Sequence, residues 1–316
     1  MSPSYILRRL GTLLLVLFGV SILSFAIMPL VPGSPARVKL GITATPENVA
    51  TLERQLGLDR PLTSQYFDWI SGIVTRFDFG KSFITDKSIT AEVARRLPAT
   101  LQLAFIALLI GLVIALPAGI IAALRPGSKR DVSAMIFSQI GVSVPDFWMG
   151  ILLIVFFAEY LQILPSSGFV PMSEGFLPWL RHIILPALTS GLISGAIMTR
   201  FVRSAMLEVL NQDYVRTARA KGLNERVVIN KHALRNASIS IATIVGLQMA
   251  TLLSSVVVVE IIFAWPGLGS LALNSTLQRD YPMLQASVLL FATAFAVVNL
   301  LTDLSYALLD PSVEYA

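Results

Sequence analysis

The sequence predicts an all-α membrane protein with about six transmembrane helices. Of its 316 residues, 55% are hydrophobic and only 14% are charged. Soluble domains carry about 25% charged residues, so a soluble chain of this size would have too few charges to cover its surface. In addition, six stretches are apolar enough to cross a bilayer, whose hydrocarbon core of about 30 Å takes about 20 helical residues.

The six stretches follow one another along the chain. The third is too long for one straight crossing and predicts either a tilted long helix or a short re-entrant piece followed by a helix. The first could instead be a cleaved signal peptide, because Arg8 and Arg9 precede it. It is longer than a usual signal core and no clean A-x-A site follows, so we predict a retained helix. The stretches lie at 10–31, 100–124, within 132–164, 182–201, 239–263 and 284–308.

Basic residues orient the predicted spans. Lys and Arg precede span one and cluster between spans two and three and between spans four and five, whereas the two short loops opposite hold Arg181 and Arg279. Short cytoplasmic loops collect basic residues, so both termini are predicted to be cytoplasmic. This asymmetry accounts for much of the net charge of +5 and argues against a nucleic-acid partner.

The predicted layout has three parts. They are an N-terminal transmembrane helix (1–31), a small external segment between helices 1 and 2 (32–98) and a five-helix core (99–316) with a cytoplasmic loop at about 202–237. Within the external segment we predict helices at 47–56 and 65–74 with a turn at 58–62. This segment forms either a packed cap or a docking surface for an external solute-delivery protein.

The residues needed for thiol or metal sites and for a nucleotide-binding loop are missing from the sequence. The chain has no cysteine, which excludes disulfides and thiolate sites, and its two histidines are far apart, which argues against a metal site. A phosphate-binding P-loop needs a glycine five positions before the Gly80-Lys81-Ser82 fragment, where the chain has Thr75. We therefore predict no nucleotide, metal or other cofactor on this chain, and no catalytic residue.

The 202–237 loop is the most informative stretch. Leu207, Leu210, Tyr214 and Ala218 recur at helical spacing, and Gly222 ends that helix. An asparagine at 224 can cap a second helix. A helix–turn–helix with one apolar and one basic face either lies on anionic lipid or docks into a groove on a soluble partner.

Residues 213–223 (DYVRTARAKGL), followed by 232–237 (HALRNA), resemble the ATPase-coupling loop of ABC importer permeases. The likeness is to the B-type subunit of the dipeptide/oligopeptide/nickel family. The general pattern is E-A-A-x-x-x-G-x9-I-x-L-P, here aligned on Gly222. Arg216, His232 and Arg235 stand where that pattern has glutamate, isoleucine and proline.

Further blocks match the same family in order along nearly the whole chain. They lie at 5–9, 56–62, 78–82, 96–101, 143–145, 183–188, 260–269 and 306–311. The resemblance implies a type I ABC importer permease-like fold that forms half of a path for di- or oligopeptides. Glutathione-like peptides, nickel chelates and sugars are alternative cargoes.

The resemblance also implies partners and site residues. The partners are a second homologous permease subunit, two cytoplasmic ATPase subunits that bind ATP and Mg²⁺, and an external solute-binding protein. The implied coupling residues are Tyr214, Arg216, Thr217, Ala218, Ala220, Gly222, Leu223, His232, Leu234 and Arg235.

Polar residues in the spans suggest a solute path or gate. Asp146 follows Pro145, and a carboxylate at mid-span costs about 2.5–3.5 kcal/mol, so Asp146 either lines the path or sits at a helix end. Pro145 is expected to kink the helix. Glu159 and Glu260 lie near outer span ends, where Glu260 is either a gate-side or docking residue or an interfacial carboxylate. Close helix packing is predicted at Gly111, Gly119, Gly141, Gly150, Gly191 and Gly195.

Two other functional classes stay open from the residues alone. An intramembrane enzyme would need a buried nucleophile with a base, yet His182 is the one histidine near the spans and no G-x-S-x-G motif is present. An ion-driven secondary transporter would be favoured by inverted repeats, and the sequence shows no clear internal repeat.

Overall fold

The computed structural model describes residues 3–30 and 34–309. The last residue of the predicted first span (31), the first two of the predicted external segment (32–33) and the last seven of the predicted core (310–316) lie outside the described residues. Within those ranges the regular structure is helical, apart from an isolated β-bridge between Lys81 and Ser88. The α-helices are α1 Pro3–Leu30, α2 Pro35–Leu40, α3 Pro46–Leu56, α4 Leu62–Arg76, α5 Ile89–Leu124, α6 Lys129–Ser143, α7 Asp146–Leu153, α8 Phe176–Leu210, α9 Asp213–Ala220, α10 Glu225–Val227, α11 Arg235–Ile262, α12 Leu268–Leu277 and α13 Tyr281–Leu309.

Two π-helical segments join these elements. Ile154–Tyr160 continues α7, and Val228–Leu234 links α10 to α11. Five helices of the described chain are long and apolar enough to span a membrane, and α6 with the α7 segment makes a sixth span if the bent pair is counted as one. This confirms the prediction of about six spans.

The third apolar stretch is broken rather than tilted. Its two halves, Lys129–Ser143 and Asp146–Tyr160, meet at an angle of 104°. Pro145 occupies the position before α7, and its carbonyl accepts from the backbone N–H groups of Trp148 and Met149 at 3.1 Å. The expected kink is therefore a complete break, because proline cannot donate to the preceding turn and instead begins a new helix.

Several helices extend beyond their apolar runs. α5 begins at Ile89, well before the predicted span at residue 100. Its first turns carry charges that pair within the helix, as Arg96 Nε donates to Glu92 Oε1 at 2.6 Å. The helices predicted within 32–98 lie closer to their expected bounds, since α3 and α4 confirm those expected at 47–56 and 65–74.

The chain forms two compact units, one with residues 101–265 and the chain ends, the other with 10–100 and 266–296. In the first unit, α8 packs against α6, α7 and α11. Glycines bring α5 and α6 close to α8: a Cβ on Gly111 of α5 would lie 3.2 Å from the Gly195 backbone nitrogen, and one on Gly141 of α6 would overlap Ala196. The predicted close packing is confirmed, as expected where apolar helices associate in lipid.

The second unit has its own apolar core and buried polar contacts. Asp280 is buried and accepts from the Ser82 hydroxyl and, at 3.1 Å, from the Phe83 N–H. Thr100 Oγ1 accepts from the Leu268 N–H at 2.8 Å. The core residues are Phe79, Ile89, Val93, Leu268, Leu271, Met283, Ala286 and Leu289.

Candidate functional site

The 202–237 loop folds as the predicted helix, glycine turn and helix. α9 ends before Gly222, whose φ of 76° lies in the left-handed region that favours glycine. Asn224 caps the next turn, where its Oδ1 accepts from the Arg226 N–H at 3.0 Å. The second helix does not stop at the loop, because α10 continues through Val228–Leu234 into α11. The turn is thus joined directly to a long helix.

The buried face of α9 differs from the predicted one. The chain breaks at Asn211 and Gln212, so Leu207 and Leu210 belong to α8 rather than to the same helix as Tyr214. The break resets the helical phase, and Val215 and Ala218 are the buried α9 residues. The predicted apolar face is therefore wrong at Tyr214, whose side chain is 43% exposed.

Tyr214 nevertheless has a defined partner. Its hydroxyl accepts from Asn236 Nδ2 at 3.0 Å, and the same amide donates to the His232 carbonyl at 2.8 Å. Asn236 thereby joins α9 to the beginning of α11. Asn236 stands in the block that resembles the family, but sequence reasoning did not single it out. A cleft of about 510 Å³ opens beside these residues, lined by Glu208, Val209, Gln212, Tyr214, Asn236 and Ser240.

Charged side chains stabilise the turn and cover its outer face. Arg219 forms a forked pair with Glu225 across Gly222, with an Nη2–Oε1 distance of 2.8 Å. These hydrogen bonds raise the pKa of the Arg219 guanidinium above its usual value, so it stays charged. Arg216 approaches Asp213 at 3.4 Å, but their side chains are 70% and 96% exposed, and such a pair contributes little. Arg216 is therefore available to a partner.

The remaining predicted loop residues are exposed or partly exposed. The Thr217 hydroxyl donates a hydrogen bond to the Asp213 carbonyl oxygen at 2.9 Å. Ala220 and Leu223 are exposed at the turn, whereas Leu234 and Arg235 lie where the π-helical segment meets α11. The structure thus gathers the loop residues around one turn and one helix junction.

The four predicted path residues are spread over three elements. Pro145 and the half-buried Asp146 lie at the 104° bend, and Asp146 is the first residue of α7. Glu159 is exposed in the π-helical continuation of α7. Glu260 lies in the last turn of α11, its side chain fully buried, and its carbonyl accepts from the Trp265 N–H at 2.8 Å.

Sequence reasoning missed an ion pair between α6 and α8 whose carboxylate is buried. Arg203 binds both carboxylate oxygens of Asp131, with Nε–Oδ1 at 2.5 Å and Nη2–Oδ2 at 2.7 Å. Gly127 N–H also donates to Oδ2 at 2.9 Å. The sequence feature that could have indicated this pair is Asp131, a single carboxylate in the otherwise Lys- and Arg-rich loop between spans two and three.

His182 and the acidic side chains are the groups that a hydrolytic or metal centre would draw on. His182 Nδ1 lies 2.8 Å from the Pro178 carbonyl oxygen in its own helix. No group of three or more His, Asp or Glu side chains that could hold a metal occurs among the described residues.

Comparison with known proteins identifies the relatives. Residues 115–315 match the family model described as "Binding-protein-dependent transport system inner membrane component", and residues 3–104 match the model of its N-terminal part. The di/tripeptide transport system permease protein of Pseudomonas aeruginosa is 41% identical, with 99% of each chain covered. The glutathione transport system permease protein of Escherichia coli is 40% identical, again over 99% of each chain.

A solved structure shares the fold. The MetNI methionine ABC transporter in inward-facing conformations superimposes with a TM-score of 0.58 at 19% identity, covering 70% of this chain and 97% of that one. At this identity the likeness concerns the fold alone, which is that of a type I importer permease.

Proposed function

The chain belongs to the family of binding-protein-dependent transport system inner membrane components, and from this premise we propose that it forms half of a translocation path for di- and oligopeptides or similar small solutes. It is a multi-pass inner-membrane permease subunit of an ABC importer rather than an enzyme. Two relatives that cover nearly its whole length are named for di/tripeptides and for glutathione, which is itself a small peptide. Their names support a peptide cargo for this chain.

The proposed assembly has four kinds of component. A second, homologous permease supplies the other half of the path, because about six spans from one chain make only one side of it. Two cytoplasmic ATPase subunits bind ATP and Mg²⁺, and an external solute-binding protein delivers the cargo. Thr75 stands where a P-loop would need glycine, which supports nucleotide binding by the partners and not by this chain.

The proposed orientation places both termini and the 202–237 loop in the cytoplasm. The layout is a transmembrane helix at 1–31, an external segment at 32–98 and a five-helix core at 99–316. Its support is the density of Lys and Arg in the loops assigned to the cytoplasm.

The proposed coupling element is the 202–237 loop, which would dock into a groove of an ATPase subunit. The observation that carries this assignment is its division into a packed inner face and a charged outer face. Val215 and Ala218 anchor α9 from within, while Arg216, Leu223 and Tyr214 are exposed. Because α10 continues into α11, movement of the turn would be passed to a membrane helix as a rigid lever.

The proposed path residues are Pro145, Asp146, Glu159 and Glu260. Asp146 lies at a helix break, the type of irregular backbone that membrane proteins tolerate where it is buried in protein or lines a cavity. ATP-driven closure of the ATPase subunits would shift the population of the pore from an inward-facing to an outward-facing state. The binding protein would then release its cargo into the pore.

A valine at Gly222 tests the coupling assignment. A β-branched residue at this φ costs about 1–3 kcal/mol of strain, so the turn should deform. We expect the Gly222→Val permease to lose copurifying ATPase subunits and solute transport in reconstituted vesicles. Gly80→Val is the matched control, because Gly80 has a φ of 83° and, like Gly222, would place its Cβ in open space.

The control is expected to keep the ATPase subunits, since Gly80 lies in the proposed external segment. Retention of the ATPase subunits and of normal transport in Gly222→Val would refute the coupling assignment. A loop that merely rests on anionic lipid would produce that result, provided the variant is folded and inserted.

A further inference from the structure

α6 and α8 pack against each other, and two of their contacts are especially tight. Gly141 lies against Ala196 so closely that a Cβ on the glycine would overlap the alanine side chain. The second contact is the forked pair between Asp131 and Arg203. At 1.5 Å per helical residue, the two contacts are about 15 Å apart along α6 and about 10 Å apart along α8. Two attachments so far apart prevent either helix from pivoting on the other.

The Asp131–Arg203 pair is built to persist. The Asp131 side chain is only 5% exposed, and its carboxylate is bound by Arg203 and by the Gly127 N–H. Ser128 caps the same turn, where its hydroxyl accepts from the Asp131 N–H at 3.4 Å. Opening the pair would leave a buried charge without its partner, which is strongly unfavourable. α6 and α8 therefore move as one body while the pair is intact.

This body connects two features that the sequence separates. After Leu210, α8 passes through two residues into α9 of the 202–237 loop. At the other end of the body, α6 ends at Ser143 and the chain turns by 104° before Asp146. The ion pair lies at the end of α6 that is nearer to the loop along α8.

We propose that Asp131 and Arg203 are positioning residues that transmit displacement of α9 and the Gly222 turn, within the 202–237 loop, to the bend at residues 143–146. The inference rests on the proposed role of that loop in coupling. With the pair intact, a shift of α8 carries α6 and the bend with it. With the pair broken, α8 can move while α6 lags, and ATP hydrolysis no longer rearranges the region around Asp146.

The test uses the complete transporter reconstituted in vesicles, with a di- or tripeptide as transported probe. Asp131→Asn removes the charge at nearly constant size, and Arg203→Lys keeps the charge but loses the fork. We expect ATPase subunits to remain bound and active, while peptide transported per ATP falls about two- to thirtyfold. Arg130→Gln is the control, because this neighbouring arginine is exposed and should leave that ratio unchanged.

A covalent link separates transmission from simple charge effects. The chain contains no cysteine, so within this subunit a short bifunctional thiol reagent can join only the cysteines of an Asp131→Cys, Arg203→Cys double variant. We expect the unlinked double variant to be uncoupled and the cross-linked one to regain most of its transport per ATP. The cross-linking experiment also tests the inference if the Asp131→Asn variant does not fold.

Three results would overturn the inference. One is unchanged transport per ATP in an assembled Asp131→Asn or Arg203→Lys transporter. Another is a cross-linked protein that stays uncoupled. The third is a loss of transport that only follows the loss of folded protein, which would make the pair merely structural. Failure of the loop assignment is a separate result, because it would appear in Gly222→Val and not in the variants at 131 and 203.

Discussion

Replacing Gly119 by alanine should separate α5 from α8. A Cβ at this position would lie 2.7 Å from the Val202 side chain and 2.8 Å from the Thr199 carbonyl oxygen. Ordinary contact begins at 3.4 Å, so the carbonyl alone requires a shift of about 0.6 Å. The obstacle includes backbone, which cannot rotate away as a flexible side chain can. Overpacking of this type costs about 1–3 kcal/mol.

A matched glycine removes the effect of helix propensity. Gly11 lies inside α1, and a Cβ there would meet nothing within 4 Å. Glycine to alanine in a helix interior gains about 1 kcal/mol from propensity, and both variants share that gain. The free energy of unfolding should therefore be about 1–3 kcal/mol lower for Gly119→Ala than for Gly11→Ala.

The assay is cooperative unfolding of the purified subunit in detergent micelles, with stability measured for both variants and the parent protein. Gly11→Ala is expected to equal or exceed the parent protein in stability. Equal stability of the two variants would refute the reasoning, because it would show that α5 and α8 do not approach as closely at Gly119 as the structure indicates.

Two further predictions concern orientation and the second unit. A cysteine introduced at Lys221 should react with a membrane-impermeant thiol reagent only after the cells are permeabilised. A cysteine introduced at Lys87 should react in intact cells. The opposite pattern would contradict the proposed orientation. Asp280→Asn removes a buried carboxylate that accepts from the Ser82 hydroxyl, and should lower the stability of this contact by about 1–3 kcal/mol. The measurement is the rate of proteolysis of residues 77–88, which should rise. Asp86→Asn, an exposed position, should cost less than about 1 kcal/mol, and equal proteolysis of the two variants would argue against the buried contact.

The helices and their approximate positions could be predicted because a lipid bilayer strongly restricts which segments can cross it. Each crossing needs a long apolar run, and no water is present to satisfy an irregular backbone. The helix–turn–helix around Gly222 was equally accessible, since a glycine stop and an asparagine cap act through their immediate neighbours. The close-packing glycines followed from composition within the spans.

Features that the apolar pattern does not record were predicted less well. The buried face of α9 was wrong at Tyr214, because a two-residue break changes the helical phase and spacing alone does not reveal it. The beginning of α5 was placed too late, because ion pairs such as Arg96–Glu92 extend the helix past its apolar run. The apolar pattern of the third span fits either a tilted helix or a re-entrant piece followed by a helix, and the complete break at Pro145 appears only in the folded chain.

The sequence by itself determined the class of protein, the spans and the family, since composition, apolar length and ordered local blocks are properties of neighbouring residues. Tertiary structure alone decided which charges pair between distant helices. Asp131 and Arg203 are far apart in the chain, and only the packing of α6 on α8 brings the carboxylate and the guanidinium together in a buried place. Such pairing depends on three-dimensional distance and on exclusion of water, which a linear pattern does not encode.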